Sequence, residues 1–369
     1  MAVMTAKERA ARIRLRGLRL ASQRISTTTF VDPVEVVRAM TAIQAQDFGA
    51  AKWAIGLRAS GVNNDDVEQA IASGKIVRSW PMRGTLHFVA AEDLSWILGL
   101  TSQRTLSGAK SRRADHGITE ADLARAEKAV VRALGGGKQL TRDEMQELFV
   151  RANISDNAPR GSHFLWHLSH LGVICFGPPS GKSQTFALFD EWIPTSKRLA
   201  RDEALGELTL RYFRAHGPAT IKDFQWWSSL TLREIKIGLA IAEPRLAHVE
   251  LEKSTHFLDP SVLASGAPEI ESTYALPGFD EYLLGYQDRS LQLPKQHAQA
   301  VVPGQNGIFN PMLVVNGEVV GTWKRVLTPT SIVVTPTLFV PNRASSKRAS
   351  RAFEAYGRFY GLPIELTKG

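Results

Sequence analysis

One arrangement recurs through the first two-thirds of this chain: three helices, then a short two-stranded hairpin. Each such unit is too small to bury a large core alone, so the units are expected to stack. The first reads as helices near Thr5–Leu20, Pro33–Gln46 and Asn64–Ser73, closed by a hairpin over Ile76–Val89. Asp32 offers an N-cap with proline at the first helical position, and Gly74 stands where the third helix needs a left-handed C′ residue. The second has helices near Glu120–Leu134, Thr141–Arg151 and Ser162–Leu171, and pairs Val173–Phe176 with Thr185–Phe189. Thr141 and Glu144 make its capping box, and the Gly/Pro-rich hairpin tip carries Lys182. The third has helices near Lys197–His216, Thr220–Ser228 and Thr231–Ile241, with strands over Leu246–Leu251 and Thr255–Asp259.

After Pro260 the pattern changes. Asn316-Gly317 between two apolar runs is a strong hairpin signal, and strands over Ser331–Thr335 and Thr337–Val340 follow. A basic helix runs from Ala344 to Tyr360. The expected class is α+β: three tandem winged-helix units over 1–92, 93–194 and 195–259, then a small C-terminal β-barrel-like domain over 260–369.

The formal net charge of +9 favours polyanionic partners. Lys7, Arg9, Arg12, Arg14, Arg16, Arg19 and Arg24 crowd the first helix, with further clusters at Lys110, Arg112 and Arg113 and at Arg343, Lys347, Arg348 and Arg351. Together they suggest a phosphate-binding surface. The single cysteine, Cys175, excludes an intrachain disulfide and any zinc site with two Cys ligands, and its apolar surroundings mark it as core. No run is long and apolar enough to span a bilayer, and the arginine-rich N-terminus lacks the apolar region of a secretory signal. A cytoplasmic protein is expected.

Two motifs carry chemistry. Gln44-Ala45-Gln46-Asp47 closes the second helix, and Trp80-Pro81-Met82-Arg83-Gly84-Thr85-Leu86-His87 forms the first hairpin. With Leu276–Tyr282 and Gly321–Arg325, they resemble the winged-helix DNA glycosylases of the AlkZ type over nearly the full length. That family carries Gln-x-Gln as its catalytic signature, which Gln44 and Gln46 match. The resemblance implies a monofunctional glycosylase that hydrolyses the N-glycosidic bond of cationic N7- or N3-alkylated purines, interstrand crosslinks among its candidate substrates. Its implied partner is double-stranded DNA with alkylated bases, met as a monomer, with no cofactor, metal or membrane. A non-catalytic winged-helix regulator is the alternative.

An amide is no general base, but it orients water and donates hydrogen bonds. That suffices when the leaving base already carries positive charge and the transition state resembles an oxocarbenium ion. Residues two apart on a regular helix point about 200° apart. Both amides therefore need a distorted helix end near Gly49 to share one groove, and their placement on opposite sides, or burial of either in the interior, would overturn the hydrolase reading. Asp47 is expected to hold a helix end or pair with Lys52 or Arg83. Expected DNA contacts are Arg78, Arg83 and His87 on the first hairpin, Lys52, Lys182 on the second tip, Lys324 and Arg325. His163, His167 and His170 lie at i, i+4, i+7, a spacing that suits a DNA-facing helix better than a metal site lacking acidic ligands. Of the adjacent Trp226 and Trp227, one is expected in the core.

Overall fold

A computed structural model of the chain describes residues 5–155, 157–181, 183–251, 253–266, 273–305, 307–340 and 346–367. It is a mixed α+β protein. In chain order the strands are β1 (Ile43–Gln44), β2 (Ile76–Met82), β3 (Thr85–Ala90), β4 (Leu140–Thr141), β5 (Ile174–Phe176), β6 (Thr185–Leu188), β7 (Ala247–Leu251) and β8 (Ser254–Leu258). β9 (Thr273–Leu276), β10 (Met312–Val315), β11 (Glu318–Leu327), β12 (Ile332–Leu338) and β13 (Ile364–Leu366) follow. The chain forms two compact units, Met1–Val67 with Gly206–Gly369, and Glu68–Leu205.

In the second unit, β2 and β3 pair antiparallel from Ile76↔Ala90 to Met82↔Thr85 around the turn Arg83-Gly84, both at positive φ. Trp80 and Leu86 of this hairpin share a core with Phe149, Phe164, Phe176 and Phe186 from the following helices and strands. Helices Glu120–Leu134, Arg142–Arg151 and Ala158–His170 surround that core, and a small sheet runs β4-β6-β5. Thr141 caps its helix through the expected box with Glu144. Helix Ala91–Gly108, which the repeat reading omitted, follows β3 directly.

In the first unit, helix Ala6–Ser22 buries its C-terminal half, and β9 to β13 form one sheet ordered β13-β12-β11-β10-β9. Asn316 and Gly317, at φ 50° and 70°, make the expected two-residue turn between β10 and β11. The terminal helix Ser346–Tyr360 lies against β9. The basic first helix corrects the expectation of a free cationic face. Arg19 is 2% exposed, donates to Pro218 O at 2.9 Å and to Gln292 Oε1 at 2.7 Å, and stacks on Tyr286. Arg16 pairs with Glu318, and Arg12 donates to Ser290 O at 2.6 Å. Only the N-terminal turns of that helix keep their cations in solvent.

Candidate active site

The helix expected over Pro33–Gln46 ends at Met40. Thr41 sits at φ 69°, ψ −49°, and Ala42 N–H donates to Met40 O at 2.8 Å, which closes a γ-turn of the rarer positive-φ kind. A β-branched residue there is a backbone outlier. Thr41 is fully buried, and its Oγ1 has no hydrogen-bond partner among the described residues. Beyond it the chain runs extended through β1, and Asp47 caps a new helix, Phe48–Gly56, by accepting from Ala50 N–H at 2.9 Å. Ala42, Ile43 and Ala45 are all buried, so the apolar pattern carries on across the break and hides it in the sequence.

The change of backbone alters the geometry of the two amides. Gln44 ends β1 and Gln46 stands in the bend before the next helix, so the 200° offset of a regular helix does not apply to them. Their exposures differ, however. Gln46 is exposed, whereas Gln44 is 8% exposed, and this corrects the expectation of two open amides. Gln44 N–H donates to Glu281 Oε1 at 3.2 Å, and that carboxylate is itself 1% exposed.

Around the Gln46 end, Asp47 pairs with a cation other than the expected Lys52. Its carboxylate faces Arg325 Nη2 at 3.6 Å, and the Arg325 guanidinium leans on the rings of Trp323 and Tyr356. Tyr360 donates from its hydroxyl to Gly49 O at 3.2 Å. Burial in this aromatic cluster pushes the Tyr356 phenol far above its ordinary value, so it stays protonated. The exposed side of this end therefore combines an amide, a carboxylate and a guanidinium, whereas the exposed Lys324, next to Arg325 on β11, projects from the opposite face of the strand.

Several expected DNA contacts lie inside instead. Lys52 is buried with its Nζ over the Phe48 ring. Arg78 is buried with its guanidinium over Phe176. His87 is fully buried, its Nδ1 2.9 Å from Thr85 O and its Nε2 3.4 Å from Arg83 Nη2. Arg83 itself is half-buried at the turn. His163 is buried beside His116, Trp166 and His167; burial first, then the neighbouring histidines and Arg112 and Arg113, lower its pKa to about 4. It is neutral at physiological pH and offers phosphate no charge. Lys182 lies outside the described residues. Cys175 is buried as expected, and burial pushes its thiol far up. Trp227 is core, whereas Trp226 is half-buried beneath the Arg289 guanidinium.

Glu281 and Tyr360 are the site neighbours that the sequence did not assign. Glu281 belongs to the Leu276–Tyr282 motif that carried the resemblance, but nothing in its local pattern places it under Gln44, 237 residues away in the chain.

Gln44 thus ends a short strand, Gln46 is open to solvent beside the Asp47–Arg325 pair, and the chain around them is mixed α+β. The model of the AlkZ-like DNA glycosylase family matches residues 37–359, and the chain belongs to that family, whose members hydrolyse N-glycosyl bonds. A curated relative, an interstrand DNA cross-link repair glycosylase of Streptomyces sahachiroi, is 29% identical over 95% of this chain and 97% of its own length. The solved structure of Streptomyces sahachiroi DNA glycosylase AlkZ superposes with a TM-score of 0.80 at 26% identity, covering 96% of this chain and 99% of that one.

Proposed function

We propose that this enzyme excises cationic N7- or N3-alkylated purines from duplex DNA by hydrolysis, including purines joined in interstrand crosslinks, and that Gln44 and Gln46 carry the reaction. The observation that supports it most is the Gln-Ala-Gln segment itself: it lies outside any helix, with Gln46 open to solvent. The exposed amide orients the attacking water and aims its carbonyl dipole at the sugar as positive charge develops there. Gln44, nearly covered, forms the floor of the same segment. The exposure of Gln46 suits a bulky or tethered lesion, and the similar Streptomyces enzyme is named for crosslink repair. Asp47 serves as helix cap and as partner to Arg325. Arg83, Lys324 and Arg325 take the DNA backbone, while Lys52, Arg78, His87 and His163 support from within. In this reading the segments 1–92, 93–194 and 195–259 act as winged helices and 260–369 as a barrel-like scaffold, in a monomer that works in the cytoplasm.

The test is base release from a duplex carrying N7-methylguanine, scored as alkali-cleavable abasic sites. Gln46→Ala is expected to slow release by about 10²–10³, the loss typical of removing one preorganised dipole. Gln44→Ala should fall in the same range. Unchanged release in both variants removes these residues from the mechanism. Sequence-specific binding without release from any alkylated duplex would make the protein a regulator instead.

A further inference from the structure

The geometry points to Glu281 as a positioning residue for the candidate catalytic segment, an inference that rests on the proposed role of Gln44. Glu281 opens the short helix Glu281–Leu284, whose N-cap Asp280 is locked by a bidentate ion pair with Arg58 at 2.8 and 2.9 Å, both side chains fully buried. From that anchored start the Glu281 carboxylate reaches three groups on three other segments. Oε1 accepts from Gln44 N–H at 3.2 Å, Oε2 accepts from Trp227 Nε1–H at 3.0 Å, and Oε2 lies 3.3 Å from His216 Nε2. Its own carbonyl accepts from Gln23 Nε2 at 3.1 Å.

Burying a carboxylate to this degree is costly, and a fold needing only shape would fill the space with an apolar side chain. The donors explain the choice. Gln44 N–H and Trp227 Nε1–H can only donate, and they address different oxygens. A glutamine would turn its NH₂ toward one of them; a carboxylate accepts on both oxygens. His216 does not force the choice, because its ring nitrogen donates or accepts by tautomer, and its Nδ1 has no hydrogen-bond partner among the described residues. The bond to Gln44 falls just past the positive-φ turn at Thr41, where the chain leaves its helix. Glu281 thus fixes the backbone just past the strained Thr41, and hands that order to Gln44 and Gln46.

The experiment compares Glu281→Gln, Glu281→Gln/Trp227→Phe and Gln44→Ala in the full chain. Lesion-duplex affinity, single-turnover release of N7-methylguanine and deuterium uptake of the 41–48 segment are measured for each. Glu281→Gln is expected to bind within about threefold of wild type, release base roughly tenfold to a hundredfold more slowly, and take up deuterium faster in 41–48. Trp227→Phe in that background removes the competing donor, leaves the glutamine carbonyl to Gln44 N–H, and recovers release by at least about threefold. Wild-type release, unchanged protection of 41–48, or no recovery in the double variant overturns the inference. A slow Gln44→Ala beside an unimpaired Glu281→Gln overturns it alone; an unimpaired Gln44→Ala overturns the reading of the site. If Glu281→Gln does not fold, Glu281→Asp, which keeps both acceptors but withdraws them by one methylene, is expected to give the same slow release and faster exchange. Its matching wild type on both counts also overturns the inference.

Discussion

Two of the hairpins carry cations that the sequence offered to DNA, and they treat them oppositely. Every residue of β2 is buried, Arg78 included, and its partner strand buries His87 completely. On β11 burial alternates and then gives out: Trp323 is 1% exposed, Lys324 is exposed, and Val326 and Leu327 are 63% and 50% exposed. The residue types are alike; the number of covered faces differs. β2 lies against the core built from Phe149, Phe164 and Phe176, whereas the far end of β11 pairs with β12 beyond any comparable core. A cation on a strand speaks to phosphate only if the strand keeps a face in water.

The sharpest way to break that contrast is Arg78→Ala. Removing a buried guanidinium takes away its packing on Phe176 and leaves its surroundings undersatisfied, so a loss of about 2–4 kcal/mol in unfolding free energy is expected. DNA affinity at fixed folded fraction, and its salt slope, should not move. Urea unfolding beside a salt titration of binding decides it: a stable variant with a shallower salt slope would put Arg78 back on the DNA.

The histidines of helix Ala158–His170 extend the same test to pH. Burial is the main cause lowering both His163 and His170 to about 4, against an ordinary 6.5. Between those values the folded chain binds fewer protons than the unfolded one, so stability is full above about pH 6.5, falls as pH drops toward 4, and is flat in this respect below it. Each group steepens that fall by at most about 1.4 kcal/mol per pH unit. Urea midpoints of His170→Asn taken from pH 7 to 4 should fall less than those of wild type. An unchanged profile would mean that His170 already titrates near its ordinary value and is wetter than its 2% exposure implies.

Local rules were legible in the sequence because they are local physics. The Thr141–Glu144 box, the Asp32-Pro33 start, the Gly74 stop and the Asn316-Gly317 turn each depend on neighbours within four residues, and each is found. The two hairpins of the second unit are found to within a residue or two at each end. The break at Thr41 was not legible, since Ala42, Ile43 and Ala45 keep apolar spacing through it and the positive φ falls on a residue type that seldom adopts it. Nor was Glu281, whose role is set by a contact across more than half the chain. Burial of Arg78 could have been inferred: Ile76-Val77 and Trp80 flank it without alternation, the mark of a strand covered on both faces.

The gentlest test falls on the exposed hairpin. Lys324 stands free of the core on β11, so Lys324→Ala should leave the unfolding free energy within about 0.5 kcal/mol. If it neutralises one phosphate, the salt dependence of binding weakens by about one counterion and affinity at moderate salt falls only a few-fold, alike for damaged and undamaged duplex. Arg325 is the informative neighbour. Its guanidinium also faces Asp47 at 3.6 Å, so Arg325→Ala should lower the salt slope equally and, unlike Lys324→Ala, slow base release by loosening the cap beside Gln46. Equal release rates in the two variants, with equal slopes, would mean that Arg325 reads phosphate alone and that the Asp47 contact contributes nothing to the placement of the amides.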